Sequence, residues 1–125
     1  MIGYVTIGTN DLARAASYYD ELLKEIGAGR TYEGDGFVAW GADPSDPALS
    51  VAVPFDGKPA TVGNGVMVAI PVLSPEQVQN FHAKALELGG SDEGAPGPRG
   101  DNFYAAYFRD TDGNKLAAFC LVDEG

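Results

Sequence analysis

One histidine, one cysteine, one tryptophan and two methionines are all that the 125 residues hold of these types. The single thiol, Cys120, excludes an internal disulfide and any site built on several thiolates, and it fits a reducing compartment. The single imidazole, His82, makes every histidine-based mechanism depend on one position. Positive charge is scarce as well. Eight Lys and Arg stand against eighteen Asp and Glu, a formal charge of −10, which repels phosphate backbones and anionic lipid surfaces. Neither nucleic acid nor a membrane is an expected partner. No segment approaches the roughly 20 apolar residues that span a bilayer. The opening MIGYVTIG has neither the basic lead nor the long apolar run of a signal peptide, so a cytoplasmic protein is expected.

What is present suits one globular core. With 45% hydrophobic and 21% charged residues, the chain can bury one core and is too short for two independent domains. The alternation YVTIG reads as a strand. Asn10 offers a helix cap, and Leu12, Ala15, Ala16, Tyr19, Leu22, Leu23 and Ile26 then recur at helical steps until Gly27. RTYEG, GFVAW and LSVAV, separated by Gly, Asp and Pro, read as three further strands.

After the linker-like GKPATVGNG the order begins again. VMVAIPV is a strand, and Ser74, Pro75 and Gln77 form a capping-box start. Val78, Phe81, Ala85 and Leu88 mark a helix stopped by Gly89 and Gly90. A loop rich in Gly and Pro follows, then the strand FYAAYF, the turn DTDGN and the strand KLAAFCLV. An offset of 63 residues lays Tyr4 on Met67, Ile7 on Ile70 and Tyr18 on Phe81; an offset of 67 lays Trp40 on Tyr107 and Ser50 on Ala117. A βαβββ unit has been used twice.

GYVTIGTNDLARAASYYDELL and FYAAYFRDTDGNKLAAF together resemble the vicinal oxygen chelate superfamily, the glyoxalase, bleomycin-resistance and ring-cleaving dioxygenase group, over essentially the whole chain. The resemblance implies an α+β fold: two βαβββ modules forming an open eight-stranded barrel-like sheet, with helices on the outer faces and a cavity on the concave side. It implies a single domain over 1–125, with module one at 1–56, a linker at 57–65 and module two at 66–125. Members of this length usually pair, so a homodimer is expected. They commonly hold a divalent metal at four strand corners, which fall here on Tyr4, Ser50, Met67 and Ala117, with Ala52 the alternative to Ser50 if the register moves by two. A phenol, a hydroxyl, a thioether and a methyl cannot supply the three or more oxygen or imidazole ligands that such a cation needs. A lost metal site and no cofactor are expected.

Side chains alternate across a strand, so each corner fixes its neighbours' face. Thr6 follows Tyr4, Ala69 follows Met67, and Phe119 follows Ala117. Across the hairpin, Tyr107 brings Phe103 and Ala105, and in this placing of an inward tyrosine the chain resembles fosfomycin-resistance members of the superfamily. The repeat makes Trp40 the counterpart of Tyr107. Arg99 stands by the cavity mouth, either as an anion contact or as a solvated loop charge. Such an apolar, aromatic recess suits a small aromatic or amphipathic ligand, although the same side chains would equally pack the barrel shut.

Other residues tempt less. His82 reads as a half-buried helix residue, out of reach of Ser50 and Cys120 as a catalytic base. Asp110, Asp112, Gly113 and Asn114 suit a turn better than a cation loop. Gly63 and Gly65 follow no strand and open no helix in a phosphate-binding arrangement. The leading expectation is a metal-independent binding protein. The alternative is a glyoxalase-type lyase or isomerase, or a dioxygenase, with non-standard metal ligands or a tyrosine as acid or base.

Overall fold

The computed structural model describes residues 1–122. The elements run β1 (Tyr4–Gly8), α1 (Leu12–Lys24), β2 (Gly29–Gly34), β3 (Phe37–Gly41), β4 (Ala48–Ala52), β5 (Val68–Pro71), α2 (Pro75–Glu87), β6 (Ser91–Pro98), β7 (Phe103–Arg109) and β8 (Lys115–Leu121). Contacts divide them into two compact units, Met1–Gly63 and Asn64 onward. Each is a βαβββ module with an open four-stranded mixed sheet, ordered β1-β4-β3-β2 in the first and β5-β8-β7-β6 in the second. The first strand of each module pairs parallel with its last, and the other pairings are antiparallel.

The cap of α1 is Asp11 rather than Asn10, its carboxylate accepting from the Arg14 N–H at 3.1 Å. Asn10 is committed elsewhere. Its amide nitrogen donates to the Ala60 carbonyl at 3.2 Å and its oxygen accepts from the Ala60 N–H at 2.7 Å, tying the segment after β4 to the end of β1. The cap of α2 follows its sequence signature: Ser74 accepts from the Gln77 N–H at 3.1 Å. The Gln77 side chain returns a bond one residue earlier than a standard capping box, to the Leu73 N–H at 2.7 Å.

The Gly/Pro-rich segment expected as a loop is largely a strand, β6. It lies at the edge of its sheet, where a proline's missing N–H need not break a ladder. Register shifts near Gly94 absorb the remaining irregularity.

Each sheet buries one face against its own helix. In the first unit Ala15, Tyr18, Tyr19 and Leu22 are buried on α1; at the same offset of 63 residues, Val78, Phe81, His82 and Ala85 are buried on α2. Tyr19 meets Trp40 with ring centroids 5.6 Å apart, and Phe81 meets Phe108 at 6.0 Å. The repeat is thus carried by what packs beneath the helices.

Asp20 fastens α1 to its sheet. Its carboxylate accepts from Arg30 Nε at 2.8 Å and Nη2 at 2.7 Å on β2, and from the Trp40 indole N–H at 2.9 Å on β3. The Arg30 hydrogen bond, followed by that of Trp40, holds the carboxyl below its ordinary 3.8 despite the opposing cost of burial. A depressed carboxyl stabilises the fold above its unfolded pKa and loses that contribution as pH falls through the folded one. Asp20→Ala is therefore expected to cost about 1 kcal/mol near neutral pH, the carboxylate being partly screened by solvent. The difference from the parent should shrink below pH ~3.8, a dependence that urea titrations followed by Trp40 fluorescence check.

Candidate functional site

The face of the first sheet turned away from α1 forms a concave recess of about 1190 Å³. Its floor follows from register. Thr6 on β1 stands opposite Ser50 on β4, Ser50 opposite Ala39 on β3, and Ala39 opposite Tyr32 on β2. The next row runs Gly8, Ala52, Phe37 and Gly34 across the same strands. Small residues on three strands keep the middle shallow, and two hydroxyls offer the floor's polar contacts.

Aromatic rings stand at one side. Tyr32 and Phe37 stack with centroids 5.3 Å apart and planes 15° from parallel. Gly34 allows this, because a Cβ there would lie 2.3 Å from Phe37 Cε1. At the far edge Gly8 is covered by Ala60, whose Cβ would stand 3.0 Å from one built on Gly8. The charged groups lining the recess are acidic, Asp35 in the β2–β3 turn and Asp46 in the β3–β4 connection. Tyr4, Thr6 and Ser50 are among its lining residues, Tyr4 70% exposed and Ser50 buried. The Tyr32–Phe37 pair escaped the sequence reading, although its signal was present in two aromatics flanking the turn-forming Gly34-Asp35-Gly36.

Trp40 is not part of the wall. It lies on the opposite face, 1% exposed, against Tyr19 and Asp20. The reason is a slip of one residue. Leu49 lies nine positions after its partner Trp40, whereas Leu116 lies eight after its partner Phe108. An offset that aligns β4 with β8 therefore misaligns β3 with β7 by one, and one residue moves a side chain to the other face. Trp40 corresponds to Phe108, and Ala39 to Tyr107.

The other expected positions belong to the second unit. Ala69 stands opposite Ala117, Ala117 opposite Tyr107, and Phe119 opposite Ala105. Phe103 stacks on Phe119 at 5.4 Å. Met67 precedes β5 by one residue and is partly exposed. Arg99 lies over the Tyr107 ring, 5.5 Å from its centroid. Ala105 and Ala117 are buried, as Ala39 and Ser50 are in the first sheet.

His82 is more buried than expected, 6% exposed. Its Nε2 lies 3.0 Å from an Asp92 carboxylate oxygen and 3.2 Å from the Tyr107 carbonyl. Both are acceptors, so Nε2 carries the proton and the ring serves as a strut between α2 and the sheet. Asp110 accepts from the N–H groups of Asp112 and Asn114, each at 2.9 Å, as a turn residue does.

The chain belongs to the Glyoxalase/Bleomycin resistance protein/Dioxygenase superfamily, whose family model matches residues 1–118. It is similar to a glyoxalase/bleomycin resistance protein from Albidiferax ferrireducens T118, at 36% identity and a TM-score of 0.88, covering 96% of this chain and 98% of that one. A glyoxalase/bleomycin resistance protein/dioxygenase family enzyme from Burkholderia phytofirmans PsJN shares the fold at 14% identity, with a TM-score of 0.76 and coverage of 96% and 98%. So does a glyoxalase-related enzyme from Fulvimarina pelagi, at 16% identity, with a TM-score of 0.75 and coverage of 96% and 87%. No curated protein matches the sequence.

A divalent metal implied by this fold finds a poor donor set at the four corners. Tyr4, Ser50, Met67 and Ala117 offer no imidazole or carboxylate, and among the described residues no group of three or more His, Cys, Asp or Glu could hold an ion. These residues do not fit the group.

Gly34→Ala tests the aromatic side of the recess. The new methyl forces the Phe37 ring off Gly34, so the ring-current shifts of the stacked Tyr32 and Phe37 resonances should collapse. Loss of one exposed aromatic pair should lower stability by only about 1 kcal/mol.

Proposed function

We propose that the chain is a metal-independent small-molecule-binding protein that holds a small aromatic or amphipathic ligand in the recess of its first sheet. The observation that carries this reading is the recess itself: an open hollow of about 1190 Å³ whose floor combines small side chains with the Thr6 and Ser50 hydroxyls beside the Tyr32–Phe37 stack. Small-molecule sites are typically concave and largely apolar, with a few orienting polar groups. Stacking and shape suffice for sequestration, and neither requires an ion. Asp35 and Asp46 at the rim disfavour an anionic group inside the hollow.

The corner residues support metal independence through their chemistry. A phenol and a hydroxyl donate hydrogen bonds readily but bring neither an imidazole nor a carboxylate to the corners. Binding without turnover therefore asks less of these residues than a lyase, isomerase or dioxygenase would. The setting that goes with this reading is cytoplasmic. Family membership makes a homodimer the expected state, which sedimentation equilibrium would read as twice the monomer mass.

Two measurements decide the matter. Nile red should bind saturably, and Thr6→Phe, which places a ring on the recess floor, should weaken it by at least about tenfold through steric exclusion. Dialysis against nickel, zinc, manganese or ferrous iron should leave no stoichiometric metal and no rise in melting temperature. One tight equivalent of metal with metal-dependent turnover of a hemithioacetal would instead establish the enzyme. Dye binding indifferent to Thr6→Phe would remove the recess from the account.

A further inference from the structure

Arg99 begins the turn between β6 and β7, yet its side chain doubles back along the edge strand. Nη2 donates to the Ala95 carbonyl at 2.7 Å and Nη1 to the Pro98 carbonyl at 3.2 Å. The guanidinium lies 5.5 Å from the centroid of the Tyr107 ring, and Lys115 on β8 brings its ammonium within 5.6 Å of the same ring. One tyrosine therefore serves two cations.

Two glycines make the seat. A Cβ on Gly94 would stand 2.9 Å from Tyr107 Cδ2 and 3.4 Å from Arg99 Nη2, and one on Gly97 would stand 3.1 Å from Arg99 Nη1. Gly94 is opposite Tyr107 and Gly97 opposite Ala105 on β7. The guanidinium thus lies in a groove that only hydrogen atoms leave open.

The charge in that groove is oriented but not neutralised. Among the described residues neither Arg99 nor Lys115 forms an ion pair. Glu93, which faces Lys115, is engaged by Arg109 Nε. Asp92 is held by His82 and by the Gly94 N–H. Carbonyls hold the Arg99 side chain in place without cancelling its charge, and a guanidinium with five N–H donors keeps others free. In a chain with eighteen acidic and eight basic side chains, Arg99 without a carboxylate partner is a local exception, while Lys115 shares the field of Glu93 with Arg109.

We propose that Arg99 and Lys115, spaced by the Tyr107 ring, form a seat for one anionic group, a carboxylate or phosphate carried by a small ligand. The chain's net charge repels a polyanion, but it is screened beyond about 10 Å at 0.1 M salt, so the two nearby cations govern a single anionic group. A planar guanidinium held by two backbone carbonyls matches carboxylate and phosphate oxygens, and the lysine adds a point charge. This seat lies wholly in the second unit and stands independently of the recess in the first.

The test uses the full chain labelled with ¹⁵N and titrated with benzoate, its neutral isostere benzamide, and inorganic phosphate. Benzoate or phosphate should shift the amides of Gly94, Gly97 and Arg99 saturably, and benzamide should not. Tighter binding of phosphate assigns a phosphate ligand, and tighter binding of benzoate a carboxylate. Arg99→Gln and Lys115→Gln should each weaken the anion by about tenfold or more, and raising the salt severalfold should weaken it in the parent. If Arg99→Gln fails to fold, Lys115→Gln and the salt series decide. Benzamide binding as well as benzoate, anion binding indifferent to both variants, or no saturable shift overturns the seat. Persistent Nile red binding in that case would leave the recess reading standing, and its loss would remove both.

Discussion

Each module rests on one constraint, the alternation of side chains across a four-stranded sheet that must bury one face beneath a helix. Trp40 in the first unit and Phe108 in the second fix that face, each fully buried and in ring contact with its own helix. Once those rings are committed, the pleat leaves no choice for their neighbours. Ala39 and Tyr107 must turn to the other side. The second face of each sheet carries the residues that remain.

The two modules have used the same remainder differently. In the first, Thr6, Ser50, Ala39 and Ala52 leave a hollow flanked by Tyr32 and Phe37. In the second, Phe103 stacks on Phe119 and Tyr107 lies beneath two cations. Family membership alone would suggest an inorganic centre framed by strand ends. Tyr4, Ser50, Met67 and Ala117 at those ends offer no imidazole or carboxylate. Fold and chemistry therefore have to be judged separately.

His82 illustrates the same separation. As the single histidine it draws every acid–base hypothesis, yet the helical repeat places it where the first module has Tyr19. Both sit against the ring that anchors the sheet, Tyr19 against Trp40 and His82 against Phe108 at 6.5 Å. The imidazole fills an aromatic position and spends its proton on Asp92 and a backbone carbonyl.

Helix periodicity, the turn residues around Gly27 and Gly113, the Ser74 cap and the twofold order of elements were legible in the chain, because each depends on residues near one another in sequence. So were the faces of β1, β7 and β8, where alternation is regular. The sequence could not show that β6 would form, since an edge strand built from Gly and Pro exists through pairing with β7 rather than through propensity. Nor could it place Trp40, because one additional residue between β3 and β4 is invisible until the strands pair and then reverses the face. The residue types determined that Tyr4, Ser50, Met67 and Ala117 bring no imidazole or carboxylate to the strand ends. Only tertiary pairing decided which side of each sheet the aromatics occupy, and left Arg99 and Lys115 together over one ring.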